Sequence, residues 1–146
     1  MILSKSFGYA LRGVLYIATM QDKEQRIHIQ QIAEQLEIPR HFLSKVMKRL
    51  VKNGMLDSTK GHAGGYLINE KTLNTPVMEL LTLIDGDEIF KMCVIGFKKC
   101  NEHNQCPLHS QVVGAKNQMM SFFSETKIGD LLKEDKVAFI KSLVSA

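Results

Sequence analysis

The order of features between residues 29 and 69 constrains the fold more than anything else in the chain. Ile32, Ala33 and Leu36 recur at helical spacing, and the tight pair Glu37-Ile38 then breaks the pattern. Pro39 opens a second helix that runs to about Asn53, with Gly54 as its stop. Phe42, Leu43, Val46, Met47, Leu50 and Val51 make its apolar side, and Arg40, His41, Ser44, Lys45, Lys48, Arg49 and Lys52 make the other. Met55–Thr59 and Tyr66–Asn69 are strand-like and flank the tip KGHAGG, whose glycines Gly61, Gly64 and Gly65 permit backbone angles closed to other residues. A helix pair with a basic second member, followed by a basic hairpin, describes a winged helix-turn-helix. The same glycines do not make a phosphate-cradling P-loop, because no Gly-Lys-Ser/Thr follows them.

The rest of the chain reads as helices around this unit. Residues 4–20 form an amphipathic helix with Phe7, Leu11, Val14, Leu15 and Ala18 as its stripe. A polar connector, Gln21 to Arg26, precedes a short strand through Ile27 and Ile29. A fourth helix starts at Thr75-Pro76, buries Val77, Leu80, Leu81 and Ile84, and ends at Gly86. After a loop over about 87–106, Leu108, Val112, Ala115, Met119 and Phe122 follow heptad spacing and predict a helix that pairs with a second copy of the chain. Short helices at Ile128–Leu132 and Val137–Leu143 close the sequence. The fold class is mostly α with a small β wing. Its expected division is a DNA-binding part at 1–75, a connecting helix and cysteine loop at 76–106, and a dimerisation helix with terminal helices at 107–146.

Charge points to the kind of partner. The net charge of the 146 residues is only +4. From Arg40 to Lys60, however, six basic residues (Arg40, Lys45, Lys48, Arg49, Lys52 and Lys60) face a single acid, Asp57. A local basic surface of this kind suits a polyanion such as a DNA duplex. No apolar run approaches the ~18 residues needed to span a bilayer, and the N-terminus lacks a cleavable signal site, so the expected location is cytoplasmic with no membrane partner.

All three cysteines, Cys93, Cys100 and Cys106, fall within one stretch, with six and then five residues between them, and His109 follows three residues later. An odd count without a secretion signal argues against a disulfide framework. Thiolates and an imidazole are ligands for an iron–sulfur cluster or zinc. With Pro107 as first helical residue, Cys106 becomes the N-cap and His109 the third helical position, so both share a helix face. Zinc sites pair ligands two to four residues apart, which these gaps fit poorly. Pairing of two cysteines under oxidation is a further option. A cysteine enzyme would need an activating base and a substrate pocket, and only Cys106 with His109 offers even a pair, so no catalytic residue is assigned. His103 is a fallback ligand. The eight methionines are read as core or interface filling.

Taken together, YALRGVLYIA, IAEQLEIPRHFLSKVMKRLVKNGML, KGHAGGYLI, the three cysteines after the fourth helix and the closing SFFSETKIGDLL resemble the winged-helix bacterial regulators of the IscR/NsrR family. The resemblance covers nearly the whole chain. It implies a homodimer on an operator duplex, with Cys93, Cys100 and Cys106 holding a 2Fe–2S or 4Fe–4S cluster whose state alters DNA affinity. His109 matches the fourth ligand of the IscR-like branch. The NsrR-like branch uses an aspartate where this chain has Gly8. Lys60 stands where the IscR branch often has arginine, and a lysine keeps the charge without the bidentate base contact. The expected function is a DNA-binding transcriptional regulator, a repressor or an activator, whose cluster senses redox state, nitric oxide or cluster supply. A thiol switch or zinc site in place of the cluster is the alternative. Arg40, Lys45, Lys48 and Lys60 are expected on phosphates, and His41 and Ser44 on base edges, with Gly61, His62, Gly64 and Gly65 at the wing.

Overall fold

The computed structural model describes residues 3–22, 25–94 and 103–144. Helix α1, Lys5–Met20, starts where the Ser4 hydroxyl accepts the Phe7 N–H at 3.0 Å, satisfying an otherwise unpaired donor. It buries Phe7, Val14 and Leu15 of the expected stripe together with Ala10 and Ile17, which that stripe lacked, while Leu11 and Ala18 are only half-buried against the core. Gly13 sits where α1 meets the third helix. A Cβ there would come within 2.2 Å of Met47 Cε, so the missing side chain makes room for that methionine.

Helix α2, Ile29–Leu36, ends at Glu37, which adopts the left-handed conformation at φ 54°. The N–H of Ile38 then bonds back to the Ala33 carbonyl at 3.0 Å, closing the turn. Helix α3 runs Arg40–Lys52 from Pro39 and buries Leu43, Val46, Met47 and Leu50. Phe42, assigned to the apolar side, is instead 48% exposed: it lies on the flank of that side, and its ring stacks tilted on His41 at 4.0 Å. Strands β1, Asp57–Thr59, and β2, Gly65–Leu67, pair antiparallel in the register Asp57 with Leu67, Ser58 with Tyr66 and Thr59 with Gly65. The strand expected at Ile27–Ile29 reduces to Ile27 alone, which exchanges two backbone bonds with Tyr66, while Ile29 already belongs to α2.

A short helix not expected from periodicity, α4, spans Glu70–Asn74. Asn69 and Thr72 cap it reciprocally, and five residues are too few to show a 3.6-residue repeat. Helix α5, Val77–Asp85, buries all four residues of its expected face and ends at Gly86. A 3-10 turn over Asp87–Phe90 leads toward the cysteines. Helix α6 spans His109–Glu125, a second 3-10 turn covers Ile128–Leu131, and α7 spans Lys136–Leu143. The start of α5 is stitched to the end of α6, because Val77 donates to Thr126 and Ile128 donates to Thr75, both at 2.9 Å. Phe139 and Leu143 of α7 join the same core as α1, α3 and α5. No described helix is long and apolar enough to cross a membrane.

Candidate nucleic-acid interface and cysteine segment

Burial of Leu43, Val46, Met47 and Leu50 turns the opposite face of α3 to solvent. Arg40, His41, Lys45, Lys48 and Lys52 are all exposed there, and Ser44 is half-buried at its edge. Pro39 accepts the first N–H bonds of the helix from Phe42 and Leu43, both at 3.1 Å, so the chain enters α3 without a side-chain cap. Arg49 is also exposed, but its guanidinium donates to the carbonyl of Ile84 at 3.2 Å and braces the end of α5.

The wing extends this surface. Lys60, Gly61 and His62 are exposed at its tip. Gly65 has φ +152°, and a Cβ on it would lie 2.8 Å from the Ile27 carbonyl oxygen. A Cβ on Gly64 would lie 2.3 Å from the Thr59 carbonyl oxygen. These two glycines are therefore required for the hairpin to close on itself and on Ile27. Arg26, read from sequence as part of a polar connector, is brought to the wing and donates to Thr59 Oγ1 at 2.6 Å. No local pattern marks it; only the Ile27–Tyr66 pairing places it there. Half-burial beside this pairing pushes the Tyr66 hydroxyl's pKa up.

The cysteine segment is organised differently. Cys93 and Cys106 are half-buried and in no disulfide; Cys100 lies outside the described residues. The helix starts later than expected: Leu108 is the N-cap of α6 and His109 its first residue. Cys106 precedes it in a turn closed by the His109 N–H on the Cys106 carbonyl at 2.9 Å. Proline's fixed φ suits a helix start but equally a turn, and the turn is what forms here. Two thiols and an imidazole suit a soft metal group. Among the described residues, however, no three His, Cys, Asp or Glu side chains gather into a group that could hold a metal ion. His103 is exposed in a turn.

Helix α6 presents most of its length to solvent. Leu108 is 43% and Phe122 56% exposed, Ala115 is exposed, and Val112 and Met119 are half-buried. Phe123, on the neighbouring side, packs its ring 6.2 Å from that of Phe7.

The sequence profile described as Rrf2, iron-dependent transcriptional regulator, matches residues 3–134. The chain belongs to the Rrf2 family. As an Rrf2 protein it is a DNA-binding transcriptional regulator and not an enzyme. A relative from Aquifex aeolicus, described as an HTH-type transcriptional regulator, is 33% identical over 142 residues, covering 95% of this chain and 97% of its own. The regulator IscR of Xenorhabdus nematophila is 26% identical over 137 residues, covering 94% of this Rrf2 chain and 82% of its own. The solved structure of CymR, the global cysteine regulator of B. subtilis, superposes with a TM-score of 0.71 at 16% identity, over 90% of this chain and 95% of its own. That likeness supports the Rrf2 winged helix-turn-helix fold.

Proposed function

We propose that this Rrf2 regulator binds its operator as a homodimer and that Cys93, Cys100, Cys106 and His109 hold an iron–sulfur cluster, 2Fe–2S or 4Fe–4S, whose state sets the affinity for DNA. The observation that carries the reading is the confinement of every cysteine to one segment between α5 and the largely exposed α6. An iron–sulfur group bound there would supply a redox- and nitric-oxide-reactive centre. On this reading residues 1–75 grip DNA, 76–106 carry the sensing segment and 107–146 pair the two copies, in the cytoplasm. The exposed seam of Leu108, Ala115 and Phe122 supports pairing, because a single chain leaves it uncovered. Two copies related by a two-fold axis would present two α3 helices and two wings to successive major-groove turns. Arg40, Lys45, Lys48 and Lys60 fix the register on phosphates, and His41 and Ser44 read base edges beside the wing residues Gly61, His62, Gly64 and Gly65.

The test is anaerobic purification followed by a visible spectrum and counts of iron and acid-labile sulfide. Iron and sulfide in equal amounts, lost on Cys106→Ser, are the expected result. Colourless protein with neither element would sink the cluster. The second reading is a thiol switch or a zinc site at the same cysteines, supported by the two described thiols, Cys93 and Cys106, which are in no disulfide and only half-buried. A disulfide formed by peroxide in metal-free protein, with a matching change in DNA affinity, would establish the switch; stoichiometric zinc without sulfide would establish the metal site.

A further inference from the structure

Among the described residues Lys116 is the one charged side chain that is buried, at 6% exposure. It stands in the middle of a helix whose neighbouring residues, Ala115, Asn117 and Gln118, are exposed. A lysine on such a helix ordinarily extends its ammonium into water, and burying that charge is costly unless something accepts its protons. Here the side chain turns inward, and its Nζ donates to the backbone carbonyl of Met92. Met92 is the residue before Cys93.

The other end of this stretch is held as well. The Ser4 backbone N–H donates to the Asp85 carboxylate at 3.1 Å, and the Ser4 hydroxyl donates to the same carboxylate. Arg49 of the DNA-reading helix donates to Ile84 one residue earlier. Phe90, between the two anchors, packs against the core. The backbone from Asp85 to Met92 is thus a strap. One end is fixed to α1 and α3, and the other is held to α6 by the buried ammonium of Lys116.

We propose that Lys116 is a positioning residue that holds Cys93 against α6, so that a change of state at the cysteine segment reaches both the pairing helix and the DNA-reading helix. This rests on the reading of that segment as the sensor. Lys116 is buried on α6 and acts through the Met92 carbonyl. A buried ammonium on that carbonyl restrains the backbone that carries the Cys93 thiol, and its loss frees that backbone without removing any of the four proposed ligands.

The experiment separates the tether from the sensor. In metal-free Cys100→Ser/Cys106→Ser protein, Lys116→Met should raise the rate of iodoacetamide alkylation at Cys93 several-fold, and Lys116→Arg should return it toward the parent value. In the three-cysteine protein, Lys116→Met should flatten the difference in affinity between reduced and alkylated protein for a duplex selected with the parent, while the reduced protein keeps its affinity. Thermal unfolding reports whether Lys116→Met is folded, and Lys116→Gln repeats the series if it is not. A folded variant with unchanged Cys93 reactivity and an unchanged affinity difference overturns the role of Lys116 and leaves the sensing reading intact. A parent protein whose affinity ignores alkylation overturns the sensing reading and the coupling with it.

Discussion

Helices α3 and α6 use their apolar residues in opposite ways. The 13-residue α3 buries Leu43, Val46, Met47 and Leu50 within its own chain and shows a basic face to solvent. The 17-residue α6 buries only Lys116 and leaves Met120 and Phe122 exposed, and Leu108 at its N-cap is exposed too. The first helix is complete as it stands, since its apolar face is covered by α1 and α2. The second carries apolar side chains that its own chain leaves uncovered, and the proposed second copy would cover them.

The strongest way to break this contrast is truncation of one apolar residue in each half. Leu50→Ala, in the buried face of α3, should cost about 2–5 kcal/mol in thermal or denaturant unfolding. Phe122→Ala should leave the folding of the isolated chain nearly unchanged and weaken self-association in sedimentation equilibrium. Equal losses of folding stability at every protein concentration would place Phe122 in the monomer core and remove the contrast.

Glycines sharpen it next. Gly65→Ala forces a Cβ against the Ile27 carbonyl at φ +152° and should cost about 1–3 kcal/mol. The loss should show as faster amide exchange at Tyr66 and weaker DNA binding. At Gly114 in α6 an added Cβ meets nothing within 4 Å, so Gly114→Ala should stabilise the chain by about 0.5–1 kcal/mol. A smaller effect separates residues within the basic face proposed to read DNA. Lys48→Ala should weaken binding to all duplexes alike and reduce the slope of log affinity against log salt by about one. Ser44→Ala should instead alter the order of preference among duplexes. Identical behaviour of the two variants would remove the division between phosphate and base contacts.

The smallest effect lies at the exposed ion pair of Asp22 and Lys136, 2.6 Å apart. The lysine's hydrogen bond and charge hold the Asp22 carboxyl below its ordinary pKa. Its contribution is therefore present above the ordinary carboxylate range and disappears as pH falls through the lowered value. Solvent screens so exposed a pair, and Asp22→Asn should leave Tm unchanged within error at neutral pH.

Legibility in the sequence followed the range of the forces involved. The α5 face, the Glu37 break and the wing glycines were readable because each depends on a few neighbouring residues. Arg26 was not, since only pairing between Ile27 and Tyr66, far apart in sequence, brings it to Thr59. Phe42 was misassigned because helical spacing separates a buried stripe from its flank only when the packing partners are known. The Cys106 helix start failed because proline serves turns and first helical turns alike. Lys116 looks like an ordinary solvated lysine, and nothing in its neighbours announces Met92. The exposed basic face of α3 was therefore foreseen almost residue by residue, whereas the wiring of the cysteine segment came only from tertiary contacts.

The most direct test of the central claim is operator affinity measured on one anaerobic preparation before and after nitric oxide or peroxide treatment of the cysteine segment. Coupling of the ordinary size, about 1–3 kcal/mol, shifts Kd by about 5–150-fold, and a shift in that range, abolished by Cys93→Ser, is the result expected. An unchanged Kd in protein whose cysteine segment is shown chemically to have reacted would contradict the account.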